Sequence, residues 1–552
     1  MSKRVWMSAA VILWAVSLAW AAQAKEPKPP PDMPDLTESA KLAEKMPKTV
    51  SGAVTLDGKG AGGVRVTDGV QFVTTDEEGK YSLDIKPDPL VPYMPSRTIS
   101  ICWPSGTWPG GAWWVRLKDV KDPAKVNFSL AKCEQKLPVC VAFGTDPHDA
   151  FRRSINYIFR DEIARAGRHV AFAVAGGDLG YLGFGNADKD YAAMQIYTNG
   201  FPVPLLHCIG NHDVVGIHSK WWAVPHEIAG NGAFIKYLNP IRWSFDYADI
   251  HFVGLDWALI DEKGHMQCGV AKSAIDWLEE DLKSLPEGTS VYFFNHQGWS
   301  PHQRFFDVCA KYGVKLCLGG HSHRNMFLGN HGGVEYWTKM SLYTLLYVDK
   351  DGFEFVDRCI YKGGRNGWDG HWGHNHRGCA LYNDRGAQEK QRGEHVGLEN
   401  VTLDSGSKTI KTVKGPTYDV RFGARGVGKK PARRFGLRLT GADGKVHEFS
   451  YDDFNNMLNL MGRQTYFNPE IPVPGPGAKE QESWVEMRIF VMPDRVRVLV
   501  NSRLHYQKYI KPGEAKRIEF FAEDGSAEFG RVDVYQRTWP KDYKPRATAN
   551  TG

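Results

Sequence analysis

Five apolar runs in this chain end in the same way, with polar side chains directly after a segment that has the length of a buried strand. They end at residues 143–148, 175–178, 209–213, 294–296 and 318–323. Parallel strands of an open α/β sheet bring their carboxyl ends to one edge, where such sheets bind their ligands. The sequence therefore predicts an α/β core in which Asp, His and Asn side chains from five strand ends meet at one rim.

Segments with helical spacing of apolar residues lie between these runs. They predict helices over Asp149–Ala166, Asp188–Tyr197 and Lys272–Leu282. Residues 242–257 predict a hairpin that turns at Ala248-Asp249. This mixture favours two sheets packed face to face with helices outside, a four-layer α/β core that we place at residues 136–360.

The segments that flank this core are rich in predicted strands. Short alternating segments with Gly and Asp-Gly turns predict a small β-sandwich at residues 49–132. Strand-like runs also fill residues 401–540, where we expect a β-rich, jelly-roll-like domain. A segment rich in Trp, Gly and His connects it to the core at residues 361–400. The expected fold class is therefore a multidomain chain with an α/β core between two β domains.

The amino terminus has the three parts of a secretory signal peptide. A basic start precedes the apolar run Met7–Ala22, and a small-x-small site ends at Ala24. A membrane anchor is the alternative, but the run is shorter than the roughly 20 residues that a span needs. We therefore expect a signal peptide at residues 1–24, a Pro- and Lys-rich linker at 25–48, and an exported (periplasmic or extracellular) protein without a membrane span after cleavage.

The net charge argues against one class of protein, and the cysteine spacing argues against one kind of metal site. The formal net charge of +6 is small for 552 residues, and the basic residues form no single tract, so a dedicated nucleic-acid binder is not expected. None of the nine cysteines has CxxC spacing, so the chain contains no recognisable thiolate zinc site.

The polar residues at the strand ends suit the hydrolysis of a phosphate ester. Two divalent ions about 3.5–4 Å apart can activate a water and neutralise the phosphoryl oxygens. Asp178 suits a bridging carboxylate because it ends a run beside glycines. In an extended backbone, Asp146 and His148 would face one way, as would His321 and His323. The donors are imidazole, carboxylate and amide groups, which points to Mn, Fe or Zn, with Mg also compatible.

In order and spacing, these motifs resemble the full motif set of the calcineurin-like metallophosphoesterases over residues 139–357. The resemblance implies hydrolysis of phosphate mono- or diesters by a hydroxide that bridges two ions. It implies one ion on Asp146, His148, Asp178 and His323, and a second on Asp178, Asn211, His296 and His321. It also implies that His212 assists the leaving group while Asp213 orients its ring. Strand alternation would turn His212 away from the side of Asn211 and toward the substrate.

Tyr181 departs from this pattern, because the family usually has Asp or Asn three residues after the bridging Asp178. The run Gly177–Tyr181 resembles the purple acid phosphatase motif, in which a tyrosinate binds ferric iron. That subfamily lacks the histidine that this chain has at His148. We therefore expect Tyr181 to line the site or to contact the ligands, with direct metal ligation as the alternative.

Resemblances outside the core leave a second function open. Residues 50–85 resemble the carboxypeptidase-regulatory-like module, and residues 484–506 resemble the central strands of concanavalin-like or laminin-G-like domains. The second resemblance implies contact with carbohydrate. The Trp- and His-rich loop at 368–376 either binds a metal or sugar or packs at the substrate rim. The alternative function is therefore an exported carbohydrate-binding or adhesion protein with an inactive core.

Overall fold

A computed structural model gives the structure of most of the chain. It describes residues 46–85, 97–147, 159–161, 163–164, 170–180, 187–214, 231–260, 266–298, 302–322, 326–339, 343–350, 352–358, 392–398, 401–455, 457–466, 485–492, 495–500, 503–508, 510, 513–530 and 532–537. The predicted signal peptide, most of the linker and most of the segment at 361–400 lie outside these ranges. No helix within them is both long and apolar enough to cross a membrane.

The N-terminal unit consists of two small sheets around a common apolar core. One sheet has the order β2-β1-β9-β7 with β5 also paired to β1, and the other has the order β4-β3-β6-β8. Alternation along β5 buries Tyr81 and Leu83 and exposes Lys80, Ser82 and Asp84, as in a strand with one face toward solvent. The strands are β1 Thr49–Leu56, β2 Lys59–Gly60, β3 Arg65–Thr67, β4 Phe72–Thr74, β5 Lys80–Asp84, β6 Thr98–Cys102, β7 Thr107–Pro109, β8 Trp114–Arg116 and β9 Phe128–Lys132.

Two further sheets follow in the central part of the chain. In the first, β12-β11-β10 run parallel, and β21 and β22 continue the sheet antiparallel. Its strands are β10 Val139–Gly144, β11 Phe172–Ala175, β12 Leu205–His207, β21 Tyr343–Val348 and β22 Phe353–Arg358. The second has the order β13-β14-β17-β18-β20-β19. Its strands are β13 Trp243–Tyr247, β14 Ile250–Gly254, β17 Ser290–Phe294, β18 Val314–Gly319, β19 Met326–His331 and β20 Val334–Thr338.

Apolar side chains from both central sheets meet in one cluster. Phe143 and Phe172 from the first sheet contribute to it, as do Phe252 and Phe294 from the second. The Phe143 and Phe294 rings stack with their centroids 5.9 Å apart. The helices beside the sheets are α1 Ala187–Asn199, α2 Gly232–Tyr237, α3 Lys272–Lys283 and α4 Gln303–Lys311, and a small hairpin is formed by β15 Ala258–Ile260 and β16 Met266–Cys268.

The C-terminal part is made of antiparallel strands that are joined to the first central sheet. β22 pairs with β32, so the hydrogen bonding continues across the boundary that we predicted near residue 360. The strands are β23 Arg392–Leu398, β24 Val401–Ile410, β25 Tyr418–Val427, β26 Arg434–Thr440, β27 Val446–Asp452, β28 Met457–Leu460, β29 Arg463–Tyr466, β30 Val485–Val491, β31 Val496–Val500, β32 Arg503–Lys508, β33 Arg517–Phe529 and β34 Val532–Arg537. They enclose a second large apolar cluster that includes Phe422, Leu437 and Phe520.

The N-terminal unit packs directly on the second central sheet. Trp103 stacks on Phe245 with ring centroids 4.4 Å apart, and both rings are buried. Polar contacts flank this stack, since Trp277 Nε1 donates to Thr67 Oγ1 at 3.0 Å and Arg242 Nη1 donates to the Gly69 carbonyl at 2.7 Å. The N-terminal unit and the second sheet therefore share a core, with hydrogen bonds at its edge.

Candidate metal centre

The described candidate residues all follow strands at the predicted edges. Asp146 comes two residues after β10, Asp178 three after β11, and Asn211 four after β12, and these strands are mutually parallel. His296 follows β17 and His321 follows β18, a second parallel pair. Parallel strands place their carboxyl ends together, and this explains why residues far apart in sequence converge here.

Three of these residues have a backbone conformation that the sequence did not predict. Asp146, Asp178 and His321 have φ values of 52°, 52° and 62°, in the left-handed region. Our expectation of an extended backbone through Asp146 and His321 is therefore wrong. Left-handed residues other than glycine cost about 1–3 kcal/mol each and tend to occur at functional sites. The rest of the fold therefore imposes these three conformations where predicted ligands cluster.

Asp178 lies at the centre of the candidate site and is almost fully buried. Its Oδ1 accepts a hydrogen bond from the backbone N–H of His212 at 2.8 Å. Its Oδ2 lies 3.2 Å from His296 Nε2. Gly210 allows this arrangement, since a Cβ atom at that position would overlap the Asp178 backbone and carboxylate. Asp178 thus presents one oxygen to the histidines while the other is held by the backbone.

Two histidines complete a group of three donors. His296 Nε2 lies 3.2 Å from His321 Nδ1, and one donor atom each from Asp178, His296 and His321 falls within 4.8 Å of the others. His296 Nδ1 lies 2.9 Å from the Gly176 carbonyl, which can only accept, so this nitrogen carries the proton and donates. That bond leaves Nε2 of the neutral ring as the metal-binding nitrogen.

Asn211 supplies the observation that tests whether these residues fit a metal. It begins a 3-10 turn, Asn211–Asp213, rather than continuing β12 as an extended strand. Our argument from strand alternation at His212 therefore does not apply. The Asn211 Oδ1 atom is buried and has no hydrogen-bond partner among the described residues. A buried acceptor without a donor is unfavourable, and a cation beside the carboxylate and histidines would satisfy it. The donor set therefore fits a divalent ion.

Asp146 is held beside this group by the loop that carries His321. The His321 backbone N–H contacts Asp146 Oδ1 at 3.1 Å and Oδ2 at 2.9 Å. The hydroxyl of Thr145 also donates to Asp146 Oδ2, at 2.7 Å. Gly320 makes the approach possible, because a Cβ atom there would overlap Thr145 Oγ1 and Asp146 Oδ2. Asp146 therefore lies close to the predicted ligands of the second ion.

Asp213 holds the loop through backbone amides. Its Oδ1 accepts from Leu179 N at 2.7 Å and from Gly180 N at 3.3 Å, and its Oδ2 accepts from Gly210 N at 2.8 Å. These bonds join the turn after β12 to the loop after β11. The predicted use of Asp213 to orient the His212 ring stays a prediction, because both of its oxygens are engaged by the backbone.

The buried charges of the site shift one another's pKa values. Burial raises the pKa of Asp213 to about 8, and the neighbouring charge of Asp178 adds to the effect. Burial alone would lower the pKa of His296, but Asp178 together with Asp146 and the Gly176 carbonyl outweighs burial, so the pKa rises to about 9 while no metal ion is bound. The two buried carboxylates of Asp146 and Asp178 thus place negative charge beside the histidines, and a divalent cation would neutralise it.

Three predicted residues cannot be placed, and two contacts were not predicted. His148, His323 and Tyr181 lie outside the described residues, so the ligand set of the first ion is described only at Asp146 and Asp178. Sequence reasoning missed the Thr145 hydroxyl and the Trp257 ring, which packs on His296 and His321. The sequence could have indicated Trp257, because this residue follows the apolar run of β14 in the same way that the candidate ligands follow their strands.

Comparisons with solved structures give weak similarities. Aspergillus kawachii β-fructofuranosidase complexed with glycerol has 16% identity, a TM-score of 0.22 and coverage of 27% of this chain and 29% of its own. A fructosyltransferase from A. japonicus has 12% identity, a TM-score of 0.23 and coverage of 39% of each chain. The carbohydrate-binding module CBM66 from Bacillus subtilis has 11% identity, a TM-score of 0.20 and coverage of 27% and 98%. This chain thus spans less than half of the two enzymes, and such scores do not establish a shared fold.

Family models give the decisive similarity, although no curated protein matches the chain. The model for the calcineurin-like phosphoesterase domain matches residues 141–325, and the model for the N-terminal domain of calcineurin-like phosphoesterases matches residues 48–132. The first match contains all of the candidate ligands. That family is in general hydrolytic and depends on metal ions. This multidomain chain therefore contains a calcineurin-like phosphoesterase domain preceded by the N-terminal domain that accompanies it.

Proposed function

We propose that this protein is an exported phosphoesterase that hydrolyses phosphate mono- or diesters with two divalent ions, of which Mn, Fe and Zn suit the donors best. The observation that carries the proposal is the convergence of Asp178, His296 and His321, whose donor atoms lie within 4.8 Å of one another. The buried Oδ1 of Asn211 supports it, because this acceptor has no donor in the described part of the chain.

The proposed ligands divide into two overlapping sets. Asp178, Asn211, His296 and His321 would hold one ion, while Asp146, Asp178, His148 and His323 would hold the other. Bound divalent ions would supply Lewis-acid activation of water and neutralise charge on the phosphoryl group. Asp178 belongs to both sets, which agrees with its place at the centre of the described contacts.

The chain's own residues would position the substrate and supply a proton. We assign His212 to the leaving oxygen, because its ring is half-buried while its backbone N–H is anchored on Asp178. An imidazole that is partly open to solvent can bind a proton and transfer it to an alkoxide that leaves. Asp213 would support this role by holding the turn that carries the ring.

A substrate panel with matched variants tests the proposal. Protein stripped with a chelator should hydrolyse neither nitrophenyl monoesters nor bis-nitrophenyl diesters, and Mn, Zn or Fe should restore hydrolysis of at least one class. His296→Asn should abolish the restored activity. His302→Asn should retain it, because His302 is exposed and outside the motif set. Turnover that survives chelation, or that both variants lose equally, would contradict the proposal.

The same panel distinguishes the proposed enzyme from the alternative, an adhesion protein with an inactive core. Such a protein would bind no stoichiometric metal and would hydrolyse neither ester class. Contact with carbohydrate through the C-terminal strands is compatible with either function. It is tested separately by binding of the metal-free protein to immobilised polysaccharides.

Export is a separate proposal, supported by the basic start, apolar run and small-x-small site of residues 1–24. Expression of the full chain in a Gram-negative host should give a mature protein in the periplasm or medium whose first residue is Lys25. Retention in the cytoplasm with an intact amino terminus would contradict it.

A further inference from the structure

Trp257 packs against both histidines of the candidate metal centre. Its ring centroid lies 4.8 Å from that of His321, at an interplanar angle of 46°, and 5.6 Å from that of His296, at 62°. The two histidine rings are themselves 5.1 Å apart at 76°. Three mutually tilted rings limit one another's rotation, so the indole defines one side of the position where the two imidazoles converge.

The indole N–H of Trp257 is buried and has no hydrogen-bond partner among the described residues. A buried donor without an acceptor is unfavourable, and such groups in native proteins call for a ligand or a water as partner. Burial alone does not distinguish Trp257, since Trp103 also has a buried Nε1 without a partner in the described ranges. What distinguishes Trp257 is its contact with two candidate metal ligands, His296 and His321.

The segment that carries Trp257 is anchored on both sides. Leu255 N donates to the Phe294 carbonyl at 3.1 Å, which extends the pairing of β14 with β17, and Gly269 N donates to the Trp257 carbonyl at 2.8 Å. The neighbouring Asp256 accepts from Arg242 Nε at 2.6 Å, and both groups are buried. These contacts fix the backbone on which the ring stands, as a binding residue requires.

We infer that Trp257 is a phosphate-binding and ligand-positioning residue of the metal centre. Its ring holds the imidazoles of His296 and His321 in their converging orientation, and its Nε1–H donates to an oxygen of the phosphoryl group. The bound species is the substrate's phosphoryl group or the inorganic phosphate that hydrolysis releases. The inference rests on the proposed phosphoesterase function and adds a residue that none of the sequence motifs contains.

Substitutions can separate the two parts of this role. Trp257→Phe retains an aromatic ring but removes the N–H, whereas Trp257→Leu removes the ring as well. Trp103→Phe is the matched control, because it makes the same change at a buried indole whose ring contacts lie with Phe245, Trp108 and Trp113 rather than with the site. Each variant is prepared in full length and loaded with Mn.

Calorimetric titration with inorganic phosphate then measures the N–H contribution without turnover. Loss of a hydrogen bond to a charged oxygen implies about tenfold weaker phosphate binding in Trp257→Phe. The Mn content of Trp257→Phe and the phosphate affinity of Trp103→Phe should both equal those of the wild type. Wild-type phosphate affinity in Trp257→Phe would overturn the donor role. Trp257→Leu should also weaken Mn binding, and unchanged Mn affinity in that variant would overturn the positioning role.

These measurements distinguish failure of the Trp257 assignment from failure of the proposed phosphoesterase function. If the wild-type protein binds Mn and hydrolyses esters while Trp257→Phe binds phosphate normally, only the assignment of Trp257 fails. If the wild-type protein neither retains metal nor hydrolyses any ester, the phosphoesterase proposal itself fails and the assignment fails with it.

Discussion

The backbone N–H of His212 donates to Asp178 Oδ1 at 2.8 Å, which ties the proposed leaving-group acid to the carboxylate at the centre of the candidate metal centre. The bond runs between loops after two neighbouring parallel strands, β11 and β12. Any shift of Asp178 toward or away from an ion would therefore move the turn that carries His212. Under the proposed function, metal binding and the placement of the acid would be connected through this contact and through the bonds from Leu179 N and Gly180 N to Asp213.

Gly320→Ala should lower metal affinity without removing a ligand. The added methyl group would overlap Asp146 Oδ2 and Thr145 Oγ1, so the carboxylate must move. Changes next to a metal site that shift the ligands typically reduce affinity by about 10–100-fold. Titration of the apo-protein with Mn measures the effect.

Gly406→Ala is the control for that variant, because its added Cβ would have open space and lies in β24. We expect its Mn affinity to match the wild type. Equal affinities in the two alanine variants would show that Asp146 does not need its observed position for metal binding.

His212→Asn should lose more activity on an alkyl phosphate ester than on a nitrophenyl ester. A general acid typically contributes about 10²–10⁴-fold in rate, and a leaving group as acidic as nitrophenol needs little help from a proton donor. The ratio of kcat/KM for the two substrates measures the effect. Retention of both metals in the variant, checked by elemental analysis, is part of the prediction. Equal losses on both esters would assign His212 to another role.

A buried ionic network connects the N-terminal unit to the central domain. Arg65 Nη1 in β3 lies 2.6 Å from Asp281 Oδ1 in α3, and Asp281 Oδ2 lies 2.9 Å from His251 Nε2. The other ring nitrogen of His251, Nδ1, lies 2.7 Å from Asp246 Oδ1. With a carboxylate at each nitrogen, the ring is held as an imidazolium. Burial alone would lower the pKa of His251, but the carboxylates of Asp281 and Asp246 together outweigh burial and the pKa rises to about 9.

The stability of the protein should therefore fall as the pH rises from 6.5 to 9. A histidine whose folded-state pKa exceeds the ordinary value of 6.5 stabilises the fold fully below pH 6.5, and this contribution is lost as the pH passes about 9. The shift corresponds to roughly 3 kcal/mol as an upper bound. The pKa of Asp281 is lowered despite its burial, because Arg65 and His251 are close, so its own contribution is lost only in acid. Urea midpoints over this pH range measure the effect.

Two histidine variants make that prediction specific. His251→Gln should lower the midpoint at pH 6.5 and make its fall up to pH 9 shallower than in the wild type, because His296 and Asp213 still titrate in this range. His207→Gln is the control, because burial lowers the pKa of His207 to about 4, and this ring is neutral throughout the range. A pH dependence in His251→Gln as steep as in the wild type would place the titrating group elsewhere.

Strands were predictable from sequence where short apolar runs had clear limits. The runs at Ser290–Phe294 and Tyr343–Val348 form strands with the predicted limits, because turn-forming or polar residues bound a segment that must be buried. The convergence of the candidate ligands was predictable by the same reasoning, since parallel strands direct their carboxyl ends to one edge of the sheet.

The sequence could not predict features that depend on distant contacts. The left-handed conformations of Asp146 and Asp178 are stabilised by bonds to other loops, such as that from His321 N to Asp146, 175 residues apart. The continuation of the central sheet through β22 and β32 joins Val356 to Tyr506, and no local pattern encodes such a pairing. The motif resemblance identified Asp213 as a site residue. It could not predict that this carboxylate accepts from Leu179 N and Gly180 N, because those amides belong to another loop.

The metal content of wild-type protein and of Asp178→Asn tests the central claim most directly. Asparagine tolerates the left-handed backbone at this position, so the variant should fold, and it removes the charge shared by both ligand sets. Elemental analysis after loading with Mn should give about two ions per chain for the wild type and less than one for the variant, with ester hydrolysis abolished. Two ions per chain in a folded Asp178→Asn protein would contradict the account.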